Sequence, residues 1–136
     1  IAPKNILVGP ERPIFFYFEC AWFGDPAFDL AFCLNHLLLK CLWRPAASSE
    51  FLDAFAVLKD CYLSYVNWEP RADMERRTAH LLPGLFLARV DGKSPVEYLT
   101  DEGDKNRVRR CARQLLMEPV DTLENIRAVW QKELAE

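Results

Sequence analysis

Residues 25–43 have the sequence DPAFDLAFCLNHLLLKCLW, and this stretch predicts the helix around which the rest of the chain packs. Asp25 and Pro26 mark its start, because an Asp side chain accepts hydrogen bonds from unpaired backbone N–H groups and Pro suits the first helical turn. From there to about Trp43 the sequence is apolar on nearly every side. A helix of that kind is normally buried, so we expect it at the centre of the core.

The residues before this helix predict a β-hairpin. Residues 5–8 (NILV) and 14–18 (IFFYF) favour strands, and the intervening residues 9–13 (GPERP) favour a turn. An isolated two-stranded hairpin is only marginally stable in water. We therefore expect the helices, or another protein surface, to cover it.

The residues after the central helix predict a mainly α fold. Apolar spacing and capping residues indicate further helical segments at 48–67, 70–90, 94–97, 100–117 and 121–134. Ser48 or Ser49 is expected to cap the first of these, and Pro83-Gly84 is expected to kink or break the second. We expect one domain over residues 1–136, with the hairpin in 1–19 and a helical part in 20–136.

Charge and hydropathy exclude two classes of partner. The 17 basic and 20 acidic residues leave a net charge of −3, which argues against nucleic-acid binding. The most apolar stretch, residues 28–43, is interrupted by Asp29, Asn35, His36 and Lys40, so no membrane span is predicted.

The cysteines predict a reducing environment. Their number is odd and they form no C-x-x-C pair, so neither a disulfide framework nor a zinc site is indicated. We expect reduced thiols in a cytoplasmic protein at Cys20, Cys33, Cys41, Cys61 and Cys111.

Four motifs follow one another along the chain in a family-specific order: NILV at 5–8, FECA at 18–21, GDPAFDLA at 24–31 and LARVDGKSPVEYL at 87–99. This ordered set resembles the aminoglycoside phosphotransferase family, whose relatives include choline and methylthioribose kinases. The resemblance implies the helical C-terminal lobe of a protein-kinase-like fold. It also implies ATP and magnesium as family cofactors, and a small hydroxyl-bearing molecule as the acceptor.

The resemblance assigns a partly altered metal site. Asn5 matches the metal-binding Asn of the family, whose catalytic Asp would fall one position before Ile1, so no residue of this chain is expected to be catalytic. The metal-binding Asp of the family falls at Tyr17, and a neutral phenol is a poor magnesium ligand. We therefore expect a vestigial metal site formed by Asn5 and Glu19.

Other residues are expected to support or line an acceptor site. The resemblance implies that Asp25 and Asp29 support the catalytic loop. His36 and Lys40 lie one helical turn apart on the stripe that begins at Asp29, and with Trp22 they are candidates for an acceptor cleft. A simple polar seam on the helix is the alternative interpretation of that stripe.

Two functions remain open from the sequence. The first is a truncated phosphotransferase lobe that is inactive alone and binds no cofactor, because the five glycines are scattered and form no phosphate-binding loop. Its partner would be a separate N-terminal lobe or a second copy. The second is a non-catalytic interaction module that self-associates through the former lobe interface, where exposed apolar side chains are expected at Ile14, Phe16, Phe18 and Trp22.

Overall fold

The predicted hairpin is present in the computed structural model, which describes residues 2–16, 21 and 23–136. Strands β1 (Ile6–Val8) and β2 (Pro13–Phe15) pair antiparallel, with Leu7 opposite Ile14. A 3₁₀ turn, Pro3–Asn5, precedes β1 and packs against the central helix. The hairpin itself leaves most of its side chains exposed.

The helical part is confirmed as the bulk of the fold. It consists, in the part of the chain that the structure describes, of α1 (Ala27–Trp43), α2 (Ser48–Tyr65), α3 (Arg71–Asp91), α4 (Glu102–Met117) and α5 (Leu123–Ala135). A second 3₁₀ turn, Pro45–Ala47, links α1 to α2. Within the described ranges, none of these helices has the length and apolarity needed to cross a membrane.

Helix α1 occupies the centre of the core, as its all-round apolarity predicts. It packs against both α2 and α3, and α4 and α5 pack on α3. Its buried side chains include four polar or titratable ones, Cys33, Asn35, His36 and Cys41. The enclosure of α1 therefore places functional groups, as well as leucines, inside the protein.

Trp130 joins the last helix to the first. Its side chain is fully buried, its indole N–H donates to the Leu38 carbonyl oxygen at 3.1 Å, and its ring meets Phe86 edge-on at 4.8 Å between centroids. These contacts connect α5 to α1 and α3. Aromatic burial with a satisfied polar atom is among the most stabilising arrangements available to a core residue.

The prediction that Ser48 or Ser49 caps α2 is wrong. The N-cap position is Ala47, and Ser49 instead shares a hydrogen bond with the Glu50 side chain at 2.8 Å. The 3₁₀ turn runs directly into α2, so both serines already lie inside the helix and cannot cap it. Asp101, by contrast, caps α4 through the Asp104 N–H at 2.9 Å.

Two further local expectations are also corrected. Of the kink or break expected at Pro83, the break does not occur: α3 continues from Arg71 to Asp91, because burial of the proline in the core offsets the one hydrogen bond that it removes. The capping-box pattern at 94–97 forms no helix either. There the Val96 N–H donates to the Arg89 carbonyl oxygen at 2.8 Å, and burial of Val96 and Leu99 holds the segment as a loop against α3.

Replacing Trp130 with Phe is expected to lower the free energy of unfolding by about 1–2 kcal/mol, because it removes a buried hydrogen bond and leaves a small void. Urea denaturation followed by circular dichroism measures this change. Trp68→Phe is the matched control, since Trp68 is 57% exposed and its substitution is expected to cost less than about 0.5 kcal/mol. Equal effects of the two substitutions would contradict the anchoring role of Trp130.

Candidate functional site

Asn5 lies immediately before β1, at the open end of the hairpin. It is half-buried in the 3₁₀ turn, and its carbonyl oxygen accepts a hydrogen bond from the Phe16 N–H at 2.9 Å. Position 17, which the resemblance makes a metal ligand, follows Phe16 directly. Tyr17, Glu19 and Trp22 themselves lie outside the described residues, so their predicted roles stay predictions.

Asp25 fixes the start of α1. Its Oδ1 atom accepts the Ala27 N–H at 2.9 Å, which is the contact expected for a helix start, and its Oδ2 atom accepts Arg77 Nε–H at 2.8 Å. Arg77 also donates to Glu69 at 2.7 Å. The hydrogen bond from Arg77, followed by that from Ala27, lowers the pKa of Asp25, so this carboxylate remains charged and binds α1 to α3.

The predicted stripe on α1 divides between exposed and buried surroundings. Asp29 lies in the exposed first turn, close enough to Tyr62 of α2 to contribute, after burial, to the raised pKa of that phenol. His36 lies in the buried middle of the helix, and Lys40 is half-buried one turn later. The three residues therefore share a stripe but not an environment.

His36 is enclosed by aromatic side chains. Only 6% of its surface is exposed, and its ring meets the edge of Phe32 at 5.0 Å between centroids. Its Nδ1 atom lies 3.3 Å from the Tyr98 hydroxyl, in a hydrogen bond whose donor depends on the imidazole tautomer. Its other ring nitrogen, Nε2, is buried and has no hydrogen-bond partner among the described residues.

Positive charge surrounds this imidazole. Burial, and then the charges of Arg89, Lys40 and Lys4, lower the pKa of His36 to about 4. The ring is consequently neutral at physiological pH. Burial also lowers the pKa of Lys40 and raises that of Tyr98 to about 12, so the phenol keeps its proton.

The cations lie over aromatic faces. Lys40 Nζ is 4.6 Å from the Trp43 ring centroid and 5.4 Å from that of Tyr98, and the Arg89 guanidinium is 5.5 Å from that of Phe32. Such contacts stabilise a positive charge without neutralising it. We define the His36 cluster as this set of side chains: Phe32, His36, Lys40, Trp43, Arg89 and Tyr98.

The sequence identified only part of this cluster. His36 and Lys40 were recognised as site candidates, whereas Arg89 and Tyr98 belong to the 87–99 motif and had no assigned role. Tyr98 is 62 residues from its partner His36, so only the packing of the 92–101 loop reveals their contact. The one signal in the sequence for Arg89 and Tyr98 is that both lie within the 87–99 motif.

The described residues do not by themselves fit a magnesium site. Among them no group of three or more His, Cys, Asp or Glu side chains could hold a metal ion. Asn5 offers one amide oxygen and is preceded by Lys4, whereas magnesium prefers about six oxygen ligands, several of them water or carboxylate.

The comparisons with known proteins leave the family untested. No family model, no curated protein and no solved structure matches this chain. The functional conclusions below therefore depend on the sequence motifs and on the geometry of the His36 cluster.

Acid is expected to destabilise the protein through His36. Above pH 6.5 the imidazole is neutral in both folded and unfolded chains, whereas between pH 6.5 and 4 only the unfolded chain takes up the proton. Stability should fall by about 3 kcal/mol across that range. Denaturation at several pH values should show this loss of stability in the wild-type protein and in Tyr98→Phe, which keeps the buried imidazole. The loss should be absent in His36→Gln.

An NMR titration of the His36 ring gives an independent check on the same group. The titration midpoint is expected near pH 4. A midpoint near the ordinary histidine value of about 6.5 would show that the imidazole is well solvated and would contradict its enclosure.

Proposed function

We propose that this chain is the acceptor-binding helical lobe of an ATP-dependent phosphotransferase that acts on an alcohol group of a small molecule. The observation that carries the proposal is that the turn containing Lys4 and Asn5 packs against α1, the helix on which His36 and Lys40 lie. The position that resembles a kinase metal ligand thus belongs to a turn that contacts the helix of the His36 cluster.

The ordered motifs support this proposal from the sequence. Asn5 and the GDPAFDLA segment at 24–31 stand in the order of the aminoglycoside phosphotransferase family, and Asp25 makes the helix-start contact that such a segment requires. In the proposed enzyme, the nucleotide-binding lobe and the catalytic Asp come from residues outside these 136. Phosphoryl transfer depends mainly on positioning and charge stabilisation, so this chain alone is expected to transfer no phosphate.

The His36 cluster supplies the groups that such a lobe needs. Aromatic rings of Trp43 and Tyr98 offer flat apolar surfaces for the carbon skeleton of an acceptor. Lys40 and Arg89 offer hydrogen-bond donors, and the neutral His36 ring offers one more polar atom at Nε2. Together these groups would orient a hydroxyl-bearing ligand beside the turn that contains Asn5.

A cytoplasmic location forms part of this proposal. Cys33, Cys41 and Cys111 are buried free thiols, and burial raises the pKa of each. Thiols that remain protonated and enclosed are typical of proteins in a reducing compartment. The family cofactor ATP is also a cytoplasmic nucleotide.

Restoring the missing acid tests the relationship to kinases. Tyr17→Asp is expected to increase Mn²⁺ affinity by roughly tenfold or more, because it returns a carboxylate to the position that the family uses for metal. Isothermal titration calorimetry measures the affinity. Tyr17→Phe is the matched control and should bind as weakly as the wild-type protein.

A second substitution shows whether Asn5 is a ligand of the restored metal site. Adding Asn5→Ala to Tyr17→Asp is expected to abolish the gain in Mn²⁺ affinity. If Tyr17→Asp gains nothing, or if the gain persists without the Asn5 amide, the hairpin is not a former kinase metal site.

A second candidate function, self-association through the hairpin, is favoured by a different observation. Val8 is 95% exposed, and Leu7, Ile14, Phe15 and Phe16 are also exposed. Apolar patches of this kind commonly mark interaction surfaces. The expected exposure of Ile14 and Phe16 is confirmed, whereas Phe18 and Trp22 lie outside the described residues.

Light scattering after size-exclusion chromatography tests this second function. The wild-type chain is expected to form a dimer at micromolar concentration, and Val8→Lys is expected to be monomeric, because a charge on this highly exposed hairpin position opposes its burial in an interface. Val57→Lys is the matched control, since Val57 is an exposed valine on α2 and should leave the dimer unchanged. A monomeric wild-type chain would refute self-association.

A further inference from the structure

The cations of the His36 cluster form no ion pair with an acid among the described residues. Among the described residues, no carboxylate oxygen lies within 4.0 Å of a side-chain nitrogen of Lys4, Lys40 or Arg89. Arginines elsewhere behave differently: Arg77 pairs with Asp25 and Glu69. The excess of positive charge is therefore local to the cluster and contrasts with the net negative charge of the whole chain.

Two buried polar atoms of the cluster also lack hydrogen-bond partners within the described part of the chain. They are the Nε2 atom of His36, whose side chain is more than nine-tenths buried, and the Nε atom of Arg89. A buried donor without an acceptor typically costs 1–3 kcal/mol, and native proteins keep few of them. An oxyanion would satisfy the Arg89 Nε–H, and a ligand hydroxyl, which can donate or accept, would satisfy His36 Nε2 in either tautomer.

The cluster is accessible from the surface at its aromatic end. Trp43 is 41% exposed, its ring lies 5.4 Å from that of Tyr98 between centroids, and Lys40 lies over both rings. Trp43 can therefore be contacted from solvent, and Lys40 lies directly over its ring. Solvent-exposed cations alone would not offer this combination of apolar surface and buried donors.

We propose that the His36 cluster, with Lys4, binds the oxyanion of a small polyhydroxylated molecule that carries a carboxylate or a phosphate group. The oxyanion accepts hydrogen bonds from Lys40 and Arg89, a hydroxyl of the ligand pairs with His36 Nε2, and the carbon skeleton contacts Trp43. Its role as phosphoryl acceptor rests on the function proposed above, whereas binding of the oxyanion does not.

The same charges exclude another class of acceptor. A polycationic aminosugar would bring further positive charge next to Lys4, Lys40 and Arg89, and each close pair of like charges is repulsive. The acceptor of this chain is therefore expected to be anionic, in contrast to the aminoglycosides for which the resembling family is named.

Isothermal titration calorimetry with four probes of one carbon skeleton tests the proposal: glucose, glucosamine, gluconate and glucose 6-phosphate. Gluconate or glucose 6-phosphate is expected to bind at least roughly tenfold more tightly than glucose, and glucosamine more weakly than glucose. The tighter of the two anions identifies the oxyanion as carboxylate or phosphate. Inorganic phosphate is titrated in parallel as a probe without a skeleton.

Variants locate the binding in the cluster. Arg89→Gln and Lys40→Gln are each expected to weaken anion binding by roughly tenfold, and Lys40→Arg should restore most of it. Arg76→Gln, on the same helix as Arg89 but paired with Asp73, is the matched control and should change binding less than about twofold. Circular dichroism confirms that each variant is folded.

The outcomes separate this inference from the proposed function. Anion binding that is lost in Arg89→Gln and retained in Arg76→Gln supports the inference. Glucose binding as tight as that of the anions, or no binding by any probe, overturns it. If inorganic phosphate binds through Arg89 but no sugar probe does, the oxyanion site stands and the proposed acceptor function fails.

Discussion

The enclosure of α1 is the constraint on which the rest of the structure depends. Its sequence is apolar on nearly every side, so the hydrophobic effect favours covering the helix all round rather than along one stripe. Helices α2 and α3 flank it, and Trp130 attaches α5 through the Leu38 carbonyl oxygen. The positions of α2 and α3 therefore follow from the need to cover α1, and α4 and α5 pack in turn on α3.

The same enclosure creates the electrostatics of the candidate site. Polar residues on a covered helix are removed from water, where charged forms are disfavoured. His36 therefore stays neutral, and the pKa of Lys40 is lowered, while Tyr98 and Trp43 surround them with aromatic rings. A stripe that resembles an ordinary polar seam in the sequence thus places a buried neutral imidazole at His36 beside the half-buried cation of Lys40.

The differences between expectation and structure have a common physical origin. Ser49, Pro83 and the capping-box pattern at 94–97 were interpreted from local backbone preferences, which amount to about 1–3 kcal/mol each. The surrounding structure outweighed them: the 3₁₀ turn before α2 places Ser49 inside the helix, α3 continues through a buried Pro83, and buried Val96 and Leu99 hold their segment as a loop. The start of α4 at Asp101 and the start of α1 at Asp25 form as the sequence predicts, because no tertiary contact opposes the local preference there.

The sequence by itself determined the mainly α class, the N-terminal hairpin, the central helix and the presence of His36 and Lys40 on one stripe, because these follow from periodicity and nearby residues. Only the tertiary structure decided that Tyr98 contacts His36 and that Arg89 lies over the neighbouring Phe32 ring. Their side chains come from α3 and the loop after it, and the contact of Tyr98 spans 62 residues. Packing around an apolar helix brings such distant residues together, and no local pattern encodes that contact.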